Sequence, residues 1–272
     1  MKNLKLGLWR PPVLAVMLGI LVSGIAQAQT AQDAAEVPSG SIPLASTAGE
    51  TTARASGAKI YLTDTNSHLW TFDTGTKGIK YIGRTSQELK DISFAPGGKL
   101  YGVTFTKFYR VNPSNGALTF VGNLGASGIN ALFCYSSSAC YAHSYSQAKL
   151  YRINIATGKA TVIGSTGSFK SGGDLVKVNG ALYLASDNVA KRLVKLNPNT
   201  GAVLNSVTVG LINLYGLAAP GNSLYGFANT TVYTINQNTG AKTAVKTLNT
   251  IVVPGLSFRV GQIFGAAYDG NY

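Results

Sequence analysis

The sequence predicts an all-β fold, a β-propeller of five four-stranded blades. Three features carry that expectation: an aromatic strand that recurs about every 40 residues, a turn motif in phase with it, and short alternating apolar runs flanking both.

The aromatic strand recurs as Lys59-Ile60-Tyr61-Leu62, Lys99-Leu100-Tyr101-Gly102, Ala139-Cys140-Tyr141-Ala142, Ala181-Leu182-Tyr183-Leu184, Ser223-Leu224-Tyr225-Gly226 and Gln262-Ile263-Phe264-Gly265. Its aromatic residues stand 40, 40, 42, 42 and 39 positions apart. The turn motif reads Asn-x-x-(Asn or Thr)-Gly at residues 112–116, 154–158, 197–201 and 236–240, with an irregular first copy at 73–78. Its leading Asn or Asp can bond its own backbone two residues on, and its glycine supplies a positive φ, so each copy predicts a tight hairpin turn. Apolar runs on either side of each turn, and one more before each aromatic motif, bring the count to four short strands per unit. Lettered A to D from the axis outward, the aromatic motif falls on B and the Asn turn joins C to D.

The repeat begins on strand B and runs through four complete units. It ends on an A strand at 253–259 and a B strand at 262–268. Ring closure therefore pairs the C-terminal A strand with the N-terminal B, C and D strands, giving five blades and one surplus B strand. A six-blade ring needs two further strands from residues 41–56, where only Thr47-Ala48-Gly49-Glu50-Thr51 echoes a turn.

A Leu-Tyr strand followed by a hydrophobic-Asn-Pro-x-Thr-Gly turn resembles the repeats of bacterial β-propellers of the quinoprotein and lactonase types. The resemblance spans residues 59–268 and implies the fold, since the motifs are structural. No tryptophan follows the turns, unlike quinoprotein blades, so no cofactor is expected.

The first 28 residues combine Lys2, Lys5 and Arg10, an apolar run at 13–25 and the triplet Ala26-Gln27-Ala28. They read as a secretory signal peptide cleaved after Ala28, because the run is too short for a membrane span. A periplasmic or secreted product with no transmembrane segment is the expectation. Residues 29–56 read as a flexible leader, and the propeller domain occupies 57–272. After cleavage, 20 basic side chains face 10 acidic ones, a balance that favours anionic partners such as envelope polymer. The basic residues form no block, which leaves the partner open among a small molecule, a polysaccharide and a protein.

Cys134 and Cys140 fall directly opposite each other if their hairpin centres on Ser137, which predicts a disulfide in an oxidising compartment. The two histidines, His68 and His143, occupy different blade positions, and no Gly-x-Ser-x-Gly elbow, His-Glu-x-x-His helix or phosphate-binding glycine loop occurs. Ligands of propellers gather where D-to-A and B-to-C loops converge on the channel. Those loops bring Asp64, His68, Arg84, Glu88, Lys170, Asp187 and Lys191. The starts of the A strands bring Asp91, Asn130, Asp174, Tyr215 and Gly255. Asp64, His68, Asp91, Asn130, Asp174 and Tyr215 are the candidate ligand-binding residues. Asp91 and Asp174 suit a cation or acid/base work, or else hydrogen bonds to the backbone amides of a neighbouring loop; two such ligands fall short of a metal site, and none is expected. The leading functional reading is a non-catalytic binding or scaffolding propeller. The alternatives are a metal-dependent hydrolase or lyase on the same face and an electrostatic binder of anionic envelope polymer.

Overall fold

The computed structural model describes residues 57–186, 191–253 and 256–270; the segments expected to be signal peptide and leader lie outside them. The first blade opens with β1 (Lys59–Asp64), β2 (His68–Asp73) and β3 (Ile79–Arg84). The second holds β4 (Asp91–Ala95), β5 (Lys99–Val103), β6 (Lys107–Val111) and β7 (Leu118–Asn123). The third holds β8 (Ile129–Cys134), β9 (Ala139–Ser144), β10 (Lys149–Asn154) and β11 (Ala160–Ser165). The fourth holds β12 (Ser171–Val178), β13 (Ala181–Ser186), β14 (Arg192–Leu196) and β15 (Val203–Thr208). The fifth holds β16 (Leu214–Ala218), β17 (Tyr225–Ala228), β18 (Thr231–Ile235) and β19 (Lys242–Thr247). A two-stranded hairpin, β20 (Thr250–Val253) and β21 (Leu256–Arg259), follows, and then β22 (Ile263–Tyr268).

β22 pairs with β1 as the innermost strand of the first blade, in the order β22-β1-β2-β3. The five inner strands β22, β4, β8, β12 and β16 adjoin one another in turn, which closes a five-blade ring. The C-terminal expectation is thereby corrected. Residues 263–268 form an A strand, not a B strand, and 250–259 form an inserted hairpin, so no strand is left over. The physical reason is visible in the residues. Ile263-Phe264-Gly265-Ala266-Ala267 matches the inner strand Leu214-Tyr215-Gly216-Leu217-Ala218 as well as it matches the aromatic motif. Only the edge left open on β1 decides between them.

The Asn turns form as expected. Asn112, Asn154, Asn197 and Asn236 each accept the backbone N–H two residues on through Oδ1, all at 2.9 Å. The glycines that end these turns sit at φ between 72° and 78°. In the irregular first copy Asp73 accepts from Gly75 and Thr76, and Lys77 takes the left-handed position at φ 59°.

Burial falls from the axis outward, because inner strands are covered on both faces by neighbouring blades. β4 is buried throughout, whereas β19 exposes Lys242, Thr243, Ala244, Lys246 and Thr247. Lysines on that free edge discourage pairing with another sheet. The core is accordingly five slabs, one per seam: Trp70, Phe72 and Phe227 fill the seam between the fifth and first blades, and Phe108 with Ile129 that between the second and third. Seams also close by backbone contact. A Cβ on Gly122 of β7 would come 2.0 Å from the Thr157 carbonyl in the next blade's turn, so only glycine fits there.

Cys134 and Cys140 are register partners across the β8–β9 hairpin and form a disulfide. The hairpin turns at the end of the ring remote from the starts of the inner strands. Replacing both cysteines with serine is expected to cost about 2 kcal/mol, the chain-entropy value for so short a loop. Urea unfolding of the two forms reads it, and an unchanged midpoint would show the bond to be energetically idle.

Candidate functional site

The antiparallel pairing sets the level of each inner strand. The tyrosines of the B strands pair with Ser93, Phe133, Val176, Ala218 and Ala267 of the inner strands. Three residues before each partner stand Lys90, Asn130, Gly173, Tyr215 and Phe264, and two before stand Asp91, Ala131, Asp174, Gly216 and Gly265. The first tier opens on a cavity of about 370 Å³, and the second lies beneath its floor. The cavity wall uses all five first-tier residues, completed by Phe105 and Tyr145 from B-to-C loops, by Lys170 at the end of a D-to-A loop, and by Ser171 and Gly172 at the start of β12.

Candidate residues divide between the tiers. Asn130, Tyr215 and Lys170 are on the wall. Asp91 and Asp174, expected at the same level as Asn130 and Tyr215, sit one step deeper and are fully buried. Gly255 and Asp187 lie outside the described residues, and the inner strand of the closing blade contributes Phe264 at that tier. Arg84 and Lys191 are not on the wall, and Glu88 reaches the site only through Lys90, whose ammonium it meets at 2.5 Å.

Asp64 and His68 belong to a separate feature, the latch that ties the chain's closing segment to the first blade. The buried Asp64 carboxylate accepts N–H groups from Asn66 and His68 at Oδ1 and from Trp70 Nε1 and Gly261 at Oδ2, each at 2.9 Å. His68 Nδ1 lies 3.4 Å from the same carboxylate, and its ring packs edge-on against Trp70 and Tyr81.

On the wall, the Lys90 ammonium stands 4.3 Å from the centre of the Phe264 ring and 4.7 Å from that of Phe105. Phe264 neighbours Tyr215 at 6.0 Å, and Phe105 neighbours Tyr145 at 5.0 Å, so two aromatic pairs flank the cation. Tyr215 is fixed by donating its hydroxyl to Asn213 Oδ1 at 2.9 Å. Two buried polar atoms of wall residues, Asn130 Oδ1 and Ser171 Oγ, have no hydrogen-bond partner among the described residues. Sequence reasoning missed Lys90, Phe105, Tyr145 and Ser171. Phe105 and Tyr145 stand four residues after Tyr101 and Tyr141, so the repeat register was the signal that pointed to them.

Beneath the floor, the two carboxyls serve the ring. Asp91 Oδ1 accepts Ile92 N–H at 2.7 Å and Oδ2 accepts Leu132 N–H at 2.6 Å, reaching from the second blade to the third. Asp174 Oδ2 accepts Leu217 N–H at 2.5 Å, reaching from the fourth blade to the fifth. The two carboxyls also lie close enough to interact, and Asp174 Oδ1 has no other hydrogen-bond partner among the described residues. Burial pushes both well above the usual carboxylate range, and the charge of Asp174 raises Asp91 further. Two carboxylates in contact away from water cannot both be ionised, so the pair retains a proton between them.

His143 is likewise buried, its Nδ1–H donating to the Ser144 carbonyl at 3.0 Å and Nε2 paired with the Thr166 hydroxyl at 2.9 Å. Burial lowers its pKa to about 4, so the ring is neutral near pH 7. Thr166 opens the loop that carries Lys170 and Ser171 to the wall, which makes His143 a support for that loop.

A closed five-blade ring whose axis opens at one end into a cationic, aromatic-walled cavity defines the chain as a β-propeller with a ligand-sized channel mouth. No family model and no curated protein matches it. Among solved structures it is similar to a chain of the nidogen/laminin complex, at 9% identity and a TM-score of 0.52 over 78% of this chain and 98% of that one. It is also similar to a protein of unknown function from Bacteroides caccae, at 10% identity and a TM-score of 0.47 over 79% and 100%. At such identities the likeness to the nidogen/laminin chain is one of fold alone.

Proposed function

We propose that the chain is an exported, non-catalytic binding propeller whose ligand occupies the channel mouth. The observation that carries this reading is the cavity of about 370 Å³, walled by the same position of all five blades, two of whose wall residues, Asn130 and Ser171, keep a buried oxygen without a partner among the described residues. Its size falls at the lower end of the usual range for small-molecule pockets, roughly 300–1,000 Å³. Asp91 and Asp174, the carboxyls best placed for acid/base chemistry, are sealed beneath the floor and spent on backbone amides, which favours binding over turnover. The Cys134–Cys140 disulfide and the signal-like N-terminal segment support an oxidising destination, periplasmic or extracellular.

A fragment screen against protein labelled with 3-fluorotyrosine tests the reading. Bound fragments are expected to shift the Tyr145 and Tyr215 signals, assigned through Tyr145→Phe and Tyr215→Phe, and to lose their effect when Asn130→Trp fills the cavity. Hits that spare both signals would overturn the site. Hydrolysis of lactone or ester probes that disappears in Asp174→Asn would overturn the non-catalytic reading.

A further inference from the structure

Resting on the channel mouth as the binding site, we infer that its ligand is a small ring compound bearing a carboxylate and at least one hydroxyl. Three independent features of the wall specify the three parts of that molecule.

The carboxylate is called for by Lys90. Its side chain is only 16% exposed, and its ammonium lies over the rings of Phe264 and Phe105. Ring faces attract a cation through their quadrupole but bring no counter-charge. Among the described residues the carboxylate that meets the ammonium is that of Glu88, which is 42% exposed, so water weakens the pairing. A ligand carboxylate arriving from the cavity would neutralise the cation in the drier environment, with exposed Lys170 on the rim adding to the attraction.

The ring is called for by the aromatic pairs. Phe264 with Tyr215 and Phe105 with Tyr145 give the cavity broad apolar faces on both sides of Lys90. Such faces bury a flat or chair-shaped ring while excluding little else of equal size.

The hydroxyl is called for by the unpartnered atoms. Asn130 Oδ1 only accepts hydrogen bonds, and Ser171 Oγ accepts or donates. A buried acceptor without a donor is destabilising, so a ligand O–H that reaches these wall residues recovers an interaction the free protein lacks. A carboxylate alone, carrying no donor, would leave Asn130 unmet.

Two sources share this chemistry: a terminal uronate of an acidic glycan, and a hydroxylated aromatic acid. Isothermal titration of the mature protein separates them, with glucuronate and galacturonate in one arm and 4-hydroxybenzoate in the other. Glucose, galactose and 4-hydroxybenzyl alcohol serve as neutral counterparts. At least one acid is expected to bind tenfold or more tightly than its neutral counterpart. Lys90→Gln should erase that preference, Lys90→Arg should keep most of it, and Lys80→Gln, on an exposed outer strand, should leave it unchanged. Thermal melts of each variant confirm that the fold is intact. Equal or tighter binding of the neutral compounds, or an unaltered preference in Lys90→Gln, would overturn the inference. Should all six probes fail to bind while other neutral or cationic fragments shift Tyr145 and Tyr215, the ligand class is wrong and the site stands. Should nothing of any charge reach those signals, the site itself is wrong.

Discussion

Replacing Asp91 with alanine is expected to destabilise the propeller by roughly 3–5 kcal/mol, whereas Asp91→Asn is expected to change stability at pH 7 by no more than about 1 kcal/mol. Alanine strands the Leu132 N–H, which Asp91 accepts across the blade seam, and leaves Asp174 buried without its partner. Asparagine keeps the two contacts that reach other blades, its carbonyl oxygen accepting from Leu132 and its amide donating to Asp174 in place of the shared proton, and gives up only the local bond from the adjacent Ile92 N–H. The same substitution should also alter the pH profile. Both carboxyls are held above their ordinary value of 3.8 by burial, so the folded protein binds more protons than the unfolded chain above that pH. The stabilisation from the shared proton is therefore complete below about pH 3.8 and fades as pH rises through the pair's folded value. His143 contributes the opposite slope. Lowered from 6.5 to about 4, it favours the folded state above 6.5 and withdraws that support as pH falls towards 4. Urea midpoints from pH 4 to 9 should thus rise more steeply with pH in Asp91→Asn than in the wild type. Parallel profiles would show that no proton is shared.

Asp64 should respond to asparagine in the contrary way. Asp64→Ala is expected to cost roughly 3–5 kcal/mol and Asp64→Asn roughly 2–4 kcal/mol, both read from urea midpoints at pH 7. Every polar atom that faces this carboxylate at hydrogen-bond distance through an N–H is a donor: two backbone amides at Oδ1, and Trp70 Nε1 with Gly261 N at Oδ2. An asparagine amide turned to either pair sets donor against donor, so one pair is always stranded. The Gly261 contact also holds the segment leading into β22, beside a backbone bond from Thr65 N to the Gln262 carbonyl at 3.0 Å. Loss of Asp64 should therefore speed hydrogen exchange first in β22 and β1. Tolerance of Asp64→Asn equal to that of Asp91→Asn would refute the distinction between the two carboxylates.

What could be read from the sequence was local. The Asn turns, the tyrosine strands and the Cys134–Cys140 hairpin each depend on residues within a few positions of one another, and all form as their residue types dictate. The inner strands were harder, because each is hydrogen-bonded on one side only and its level is set by its B-strand partner. Counting from apparent strand starts placed Asp91 and Asp174 beside Asn130 and Tyr215, although register sets them one residue deeper. That single step separates a ligand contact from a seam contact. Lys90 carried no local signal, since its role depends on Phe105 and on Phe264, a residue more than 170 positions away.

β22 is the last strand of the ring to be made, yet it occupies the innermost place of the blade that is made first. During synthesis, the open edge of β1 must wait for nearly the whole domain to pass before its own partner arrives. Until then the notch accepts any strand of matching register, including residues 263–268 of another copy. Crowded refolding should therefore yield reciprocal exchange of this strand between molecules, a dimer assembled from two rings that each borrow their final strand.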